Sequence, residues 1–277
     1  MVVFPNAKIN LGLNITSRRP DGYHDICSLM VPVPWCDILE IVPAKSTGTR
    51  LTVSGRAVDC PPEKNLVMKA VRALEKTVEV PDVDIYLHKI IPDGAGLGGG
   101  SADAAFTLTA LNDMFSFGLS QEQLAETAAT IGADCPFFIF NRPMMATGTG
   151  TTLTSFDCGA LNGLHIVIIK PGIHISTAEA YAGVTPRMPD RMPEDILRLP
   201  PDQWRGLLVN DFEASLAYDY PQIGDLRNSL YAHGAVYASM SGSGSAVYGL
   251  FADDKMAEAA SAIRPDCDVF VGKMMLF

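Results

Sequence analysis

The stretch from Pro92 to Ala105, Pro-Asp-Gly-Ala-Gly-Leu-Gly-Gly-Gly-Ser-Ala-Asp-Ala-Ala, most constrains what this chain can fold into. Gly94, Gly96, Gly98, Gly99 and Gly100 crowd a short loop. An alternating run precedes it, with Val83, Ile85 and Leu87 set against Asp84, Tyr86 and His88. Behind it comes an alanine-rich helical pattern over 101–115, with Ala104, Leu108, Leu111 and Phe115 on one stripe. A strand that stops, a loop without Cβ atoms and a helix start together make a phosphate cradle. Glycines let N–H groups turn toward an anion, and the helix N-terminus adds partial positive charge. A flexible connector is the bland alternative, but linkers rarely sit between two such clear elements.

Two familiar glycine codes fail here. Gly94-x-Gly96-x-x-Gly99 matches the dinucleotide fingerprint formally, yet Asp113 ends a helix and Glu122 opens another where a second strand with an acidic end is required. A Walker A loop needs Lys before Ser, and Gly100 precedes Ser101 directly.

The formal net charge of −10 argues against nucleic acid as a partner, since such binders carry a basic face. A small nucleotide needs only a few local cations, and Lys8, Arg18, Arg19, Lys64 and Lys89 are available. No apolar run reaches membrane-spanning length and Asn6, Lys8 and Asn10 interrupt any signal-like N-terminus, so the expectation is a soluble cytoplasmic protein with no membrane partner. Six scattered cysteines without a C-x-x-C pair read as free thiols, not as a zinc site or disulfide framework.

At 277 residues, two domains are expected. The Gly/Thr/Ser-rich region 143–163 suggests the boundary, giving domains 1–155 and 156–277. The segment 2–16 alternates as a strand, with Ala7, Ile9, Leu11, Leu13 and Ile15 on one face and Lys8, Asn10 and Asn14 on the other. Read alone, that polar face is a solvated one. A turn at 18–22 leads to strands near 25–33, 37–42 and 51–53, then a helix over 62–79 stopped by Pro81. Further helices are expected from Ser120, over 207–217 and over 222–232, with a strand at 164–170. Residues 185–203, with five prolines, read as a loop-rich excursion. Two strands, at 235–238 and 245–251, then a helix over 254–263 and a strand at 268–272, fit an α+β split βαβ ending. Asp134, just ahead of Pro136, suits a helix cap as well as a functional role, and Tyr23-His24 suits an ordinary strand start equally.

Together these stretches say more. Pro5-Asn6-Ala7-Lys8-Ile9-Asn10-Leu11-Gly12-Leu13 with Arg19-Pro20-Asp21-Gly22-Tyr23-His24 resembles the first motif of one branch of the GHMP kinase superfamily. The glycine stretch resembles that superfamily's second, phosphate-binding motif. Ser241-Gly242-Ser243-Gly244-Ser245 is similar to its third, and Gly132-Ala133-Asp134 before Pro136-Phe137-Phe138 matches the same branch. The resemblance covers nearly the whole chain.

It implies an α+β, two-domain GHMP-kinase fold: an N-terminal ribosomal-protein-like α/β domain that binds ATP, a C-terminal ferredoxin-like split βαβ domain, and an active site in the cleft between them. It implies ATP as co-substrate with Mg²⁺, a small cytidine-bearing sugar-alcohol substrate, and a monomer or weak homodimer. By the same resemblance Lys8 and Asp134 are the catalytic pair, and Asn10 lies beside the substrate. Tyr23 and His24 hold the cytosine, with Thr177 and Tyr181 as its second wall. Pro92, Asp93, Gly94, Ala95, Gly96, Leu97, Gly98, Gly99, Gly100, Ser101 and Ala102 bind the ATP phosphates, while Asn65 and Lys89 flank the adenosine. Ala102 stands where the family more often has Ser, and Ser101 keeps a hydroxyl. No protein side chain is assigned to the metal with confidence, Ser101 and Asp103 being the nearest candidates. Homoserine- or mevalonate-type kinases and a non-enzymatic nucleotide binder are the alternatives.

Overall fold

The computed structural model describes residues 1–58 and 60–274. In chain order come strands β1 (Val2–Val3), β2 (Asn6–Arg18), β3 (His24–Cys36), β4 (Ile38–Pro43) and β5 (Arg50–Gly55), then α1 (Leu66–Leu74) and β6 (Val83–Lys89). Helices α2 (Gly99–Phe115), α3 (Gln121–Ala129) and α4 (Cys135–Phe140) follow the glycine loop. Next are β7 (Met144–Gly148), β8 (Thr152–Ser155), β9 (His165–Lys170), α5 (Thr177–Ala182), α6 (Pro193–Ile196), α7 (Asp211–Leu216) and α8 (Pro221–Ala232). The chain closes with β10 (Tyr237–Met240), β11 (Val247–Phe251), α9 (Asp254–Ser261) and β12 (Asp268–Lys273). No helix among the described residues is long and apolar enough to cross a membrane.

The residues form two compact units that interleave along the chain, where composition alone suggests a single break near 155. The first takes Met1–Ala7, Trp35–Asp93 and Gly98–Asn141; the second takes Lys8–Pro34, Gly94–Leu97 and Arg142 onward.

In the first unit the sheet order is β1-β4-β6-β5, with β5 and β6 parallel and α1 as their crossover. Helix α1 starts where Asn65 Oδ1 accepts the Val67 N–H at 2.9 Å, an N-cap. Its buried face carries Val67, Ala70, Val71 and Leu74. It stops at Leu74, well before Pro81, because the Thr77 and Val78 N–H groups both turn back onto the Leu74 carbonyl. Helix α2 packs on α1 and buries Ala102, Ala104, Ala105, Leu108 and Leu111. Helix α3 opens on a Ser120/Gln123 capping box. The apolar run 137–140 is the helix α4.

In the second unit one sheet has the order β10-β11-β9-β12, antiparallel throughout, which is the expected split βαβ arrangement. The other has the order β2-β3-β7-β8. Strands β7 and β8 occupy the region read as a boundary; Met144, Met145 and Ala146 are buried on β7, an apolar run that Gly and Thr neighbours mask in composition. Helix α5, which the sequence reading leaves unassigned, is capped by Ser176 Oγ on the Glu179 N–H.

The polar face of β2 is not solvated. Lys8, Asn10 and Asn14 are all buried, each held by protein partners in place of water. Leu13 pairs with the segment before α7, its N–H bonding Val209 O at 2.9 Å, while Asp211 accepts the Ile15 N–H at 2.8 Å.

Asn210 ties this unit together. Its Nδ2 donates to the carbonyls of Met240 and Gly242, both at 2.9 Å, and its Oδ1 accepts the Phe212 N–H. Asn210→Ala takes their Asn210 partner from the buried Phe212 N–H and Gly242 carbonyl, while Met240 O keeps Ser239 Oγ, so it is expected to lower stability by about 2–4 kcal/mol in denaturant unfolding. A loss below about 0.5 kcal/mol contradicts this account.

Candidate functional site

The glycine loop is shaped by where its carbonyls go. Ala95 O accepts the Ala246 N–H at 3.1 Å, Gly96 O accepts Ser241 Oγ at 2.9 Å, and Leu97 O accepts the Lys8 N–H at 2.9 Å. Three consecutive carbonyls are thus turned into the protein. Gly94, Gly96 and Gly98 have positive φ angles of 58°, 74° and 72°, while Ala95 and Leu97 between them do not. Such alternation forms a nest, in which successive N–H groups converge on one side. Among the described residues, none of the N–H groups from Gly96 to Ser101 donates to a protein acceptor. Helix α2 opens at Gly98 without a side-chain cap. A Cβ on Gly96 would lie 2.0 Å from Ser241 O, so only glycine fits there. The third glycine loop, 241–244, is therefore part of the support of the second.

Lys8 and Asn10 are brought together. Lys8 Nζ donates to Asn10 Oδ1 at 2.5 Å, and Asn10 Nδ2 donates to Ser28 Oγ at 2.8 Å. Ser28 Oγ in turn donates to Gly12 O at 2.6 Å. Because Ser28 spends its proton on Gly12, it accepts from Asn10, and this orients the amide with its oxygen toward Lys8. Asn10 is thereby a partner of the lysine as much as a substrate contact. Sequence reading misses Ser28; its one signal is a lone hydroxyl in the apolar run of β3. Tyr248, also missed, donates its hydroxyl to Asn10 O at 2.8 Å.

Asp134 stands directly before α4, half-buried, and makes no capping hydrogen bond to that helix. The capping alternative is thereby set aside. Burial pushes the adjacent Cys135 thiol up to about 11, which removes it as a nucleophile.

His24 and Tyr181 stack with ring centroids 4.9 Å apart and 24° between planes, and Phe212 meets Tyr181 edge-on at 4.9 Å. Thr177 opens the same helix that carries Tyr181, and Tyr23 is 67% exposed. His24 opens β3, Tyr23 directly precedes it, and Tyr181 lies on α5. His174 lies against the glycine loop: a Cβ on Gly94 would be 2.8 Å from its Nδ1.

Asn65 and Lys89 are placed differently from the rest. Asn65 uses its Oδ1 as the cap of α1, leaving its Nδ2 for other work. Lys89 is 6% exposed, and its Nζ is held by Asp37 Oδ2 and by Asp103 Oδ2, the latter at 2.7 Å. Burial alone would lower the Lys89 ammonium, but the two carboxylates outweigh it and raise it. Burial pushes Asp103 up, and the Lys89 ammonium beside it pulls it back down. Asp103 therefore faces inward to Lys89 and is not disposed as a metal ligand. Among the described residues no group of three or more His, Cys, Asp or Glu could hold a metal ion. Arg19 is engaged with Asp21 and Asp25, at 3.1 and 3.2 Å.

Comparison with known proteins bears on the family and the fold. Residues 65–142 match the model of the GHMP kinases N terminal domain, and residues 199–266 that of the GHMP kinases C terminal domain. A 4-diphosphocytidyl-2-C-methyl-D-erythritol kinase of Porphyromonas gingivalis is 49% identical over 262 residues, covering 94% of this chain and 96% of that protein. A protein of the same description from Parabacteroides distasonis is 48% identical, covering 99% of this chain and 100% of that one. A crystal structure of a 4-(cytidine 5'-diphospho)-2C-methyl-D-erythritol kinase superposes with a TM-score of 0.83 at 34% identity, covering 98% of each chain. The fold is the two-domain mixed α/β fold of these enzymes, and the chain belongs to the GHMP kinases.

Proposed function

We propose that this protein transfers the γ-phosphoryl group of ATP to the 2-hydroxyl of 4-diphosphocytidyl-2-C-methyl-D-erythritol. The products are the 2-phosphate and ADP, in the methylerythritol phosphate route to isoprenoid precursors. The observation that carries the reading is the row of N–H groups from Gly96 to Ser101, which take no protein acceptor among the described residues and sit on a nest and a helix N-terminus. Full-length relatives near half identity support the choice of acceptor. We place the boundary between the ATP-binding and C-terminal modules at 155/156, between the two matched family stretches.

Phosphoryl transfer asks the protein mainly for alignment and charge stabilisation. The loop amides and the α2 dipole hold the β- and γ-phosphates. Lys8, oriented by Asn10, supplies positive charge to the transferring group. Asp134 accepts the hydroxyl proton. A carboxylate is far too weak a base to ionise an alcohol beforehand, but in a loose transition state the hydroxyl acidifies late, and an oriented acceptor suffices. Mg²⁺, if carried with ATP, would supply neutralisation of the phosphate charge, and the Ser101 hydroxyl would help to hold it. The residues present suit that mode because Ser101 offers a half-buried hydroxyl and no carboxylate cage exists among the described residues.

His24, Tyr23, Thr177 and Tyr181 bind the cytosine. Rings at 4.9 Å leave no room for a third between them. A sandwiched base needs about 7 Å between the walls, so either the His24–Tyr181 stack parts or the base lies on one face of it.

ADP release with the cytidyl substrate, compared with homoserine and mevalonate, tests the assignment; turnover only with one of the latter overturns it. Asp134→Asn is expected to lower kcat by at least about 100-fold while ATP affinity changes little; near-normal turnover removes Asp134 from the mechanism. His24→Ala is expected to raise KM for the cytidyl substrate about tenfold with kcat much less affected. An unchanged KM refutes the base-binding role.

A further inference from the structure

Three buried charged groups bracket the glycine loop, and sequence reasoning assigns two of them elsewhere. Lys89 is the last residue of β6, and Asp103 lies in the second turn of α2, so the pair spans the loop from its entrance to its exit. Asp37, just before β4, completes the cluster. Its Oδ2 takes Lys89 Nζ, and its Oδ1 accepts the N–H groups of Ile90 and Ile91, at 2.5 and 2.9 Å. Asp37 is 0% exposed and Asp103 is 2% exposed. Gly99 passes close by: a Cβ there would lie 3.0 Å from the Ile91 side chain and 3.4 Å from Lys89 Nζ. Asp103 Oδ1 is buried with no hydrogen-bond partner.

A buried charge cluster that leaves an oxygen unsatisfied is a poor way to gain stability, since apolar side chains of the same volume serve as well or better. What such a cluster does supply is direction. One ammonium between two carboxylates, with two loop N–H groups on the same aspartate, defines where the strand ends and where the helix begins.

We propose that Asp37, Lys89 and Asp103 form an internal clamp on the two ends of the phosphate loop, so that Asp37 and Asp103 are positioning residues for ATP and Lys89 acts through the clamp without touching the nucleotide. This rests on the reading of the loop as the ATP-phosphate site. The loop's N–H groups converge on an anion only while residues 90–91 and 99–103 keep their separation, and the clamp sets it. Its loss weakens phosphate binding and leaves the cytidyl pocket unaffected.

The test uses the full chain, with KM for ATP, KM for the cytidyl substrate, kcat and the thermal midpoint measured together. Asp103→Asn keeps the shape and removes the charge. It is expected to raise KM for ATP about tenfold, with KM for the cytidyl substrate within about twofold of the parent. The triple variant Asp37→Asn, Lys89→Met, Asp103→Leu removes the cluster without stranding a charge, since the amide oxygen placed at position 37 can still accept the Ile90 and Ile91 N–H groups, and it covers the case in which the single variant does not fold. It is expected to raise KM for ATP by at least as much. If both variants change the thermal midpoint but leave KM for ATP unchanged, the cluster is only structural and the proposal is overturned. If the triple variant loses ATP binding while folded Asp103→Asn does not, Lys89 touches the nucleotide and the proposal is equally overturned. Failure of the parent protein to use ATP at all refutes the loop reading itself, a separate outcome visible before any variant is made.

Discussion

The inward turn of the Ala95, Gly96 and Leu97 carbonyls is the constraint on which the shape of the glycine loop depends. A peptide group whose oxygen is satisfied by the protein presents its N–H on the opposite side. Three in succession, with positive φ at the glycines between, leave that face lined with donors. The partners that hold the carbonyls are drawn from β2 and from the 241–246 segment. Lys8 of the first motif and Ser241 of the third are thereby scaffolding for the second, and Gly242, where a Cβ would lie 3.2 Å from the Gly96 backbone, allows the close approach.

The same logic explains why so much polar surface is buried along β2. A strand with Ala7, Ile9, Leu11, Leu13 and Ile15 on one face is ordinarily amphipathic, with water on the other. Here Ser28, Gly12, Asp211 and Tyr248 take the place of water, so each amide and hydroxyl has a defined orientation. Burying Lys8 and Asn10 costs desolvation, and the return is a lysine held in one direction. Precision of this kind suits a reaction in which alignment and charge placement do most of the catalytic work.

Lys89 shows how a correct family resemblance can still leave a residue's role open. Its position just before the glycine loop suggests a nucleotide contact. Its surroundings, two carboxylates on β6's neighbours in space, give the ammonium a full internal occupation. Asp103 is likewise close in sequence to where a metal would travel with ATP, yet it points to Lys89. Asn65 divides its amide between capping α1 and whatever lies beyond.

What the sequence by itself determined is everything carried by local pattern: the glycine loop between a strand and a helix, the alternation of β2, the split βαβ ending, and the set of motifs that identifies the family. Glycine spacing, periodicity and turn chemistry act over a few residues, so they are legible without the fold. Only the tertiary structure decided that the polar face of β2 is buried, that Asp134 does not cap α4, that β7 and β8 fill a stretch resembling a linker, and that Lys89 faces Asp37 and Asp103. Each of these depends on partners far away in the chain, Ser28 for Asn10 and Asp37 for Lys89, and no local pattern encodes which distant side chain will arrive. The glycine loop belongs to both classes, since its glycine spacing is local and Ser241, Ala246 and Lys8 decide which way its carbonyls turn.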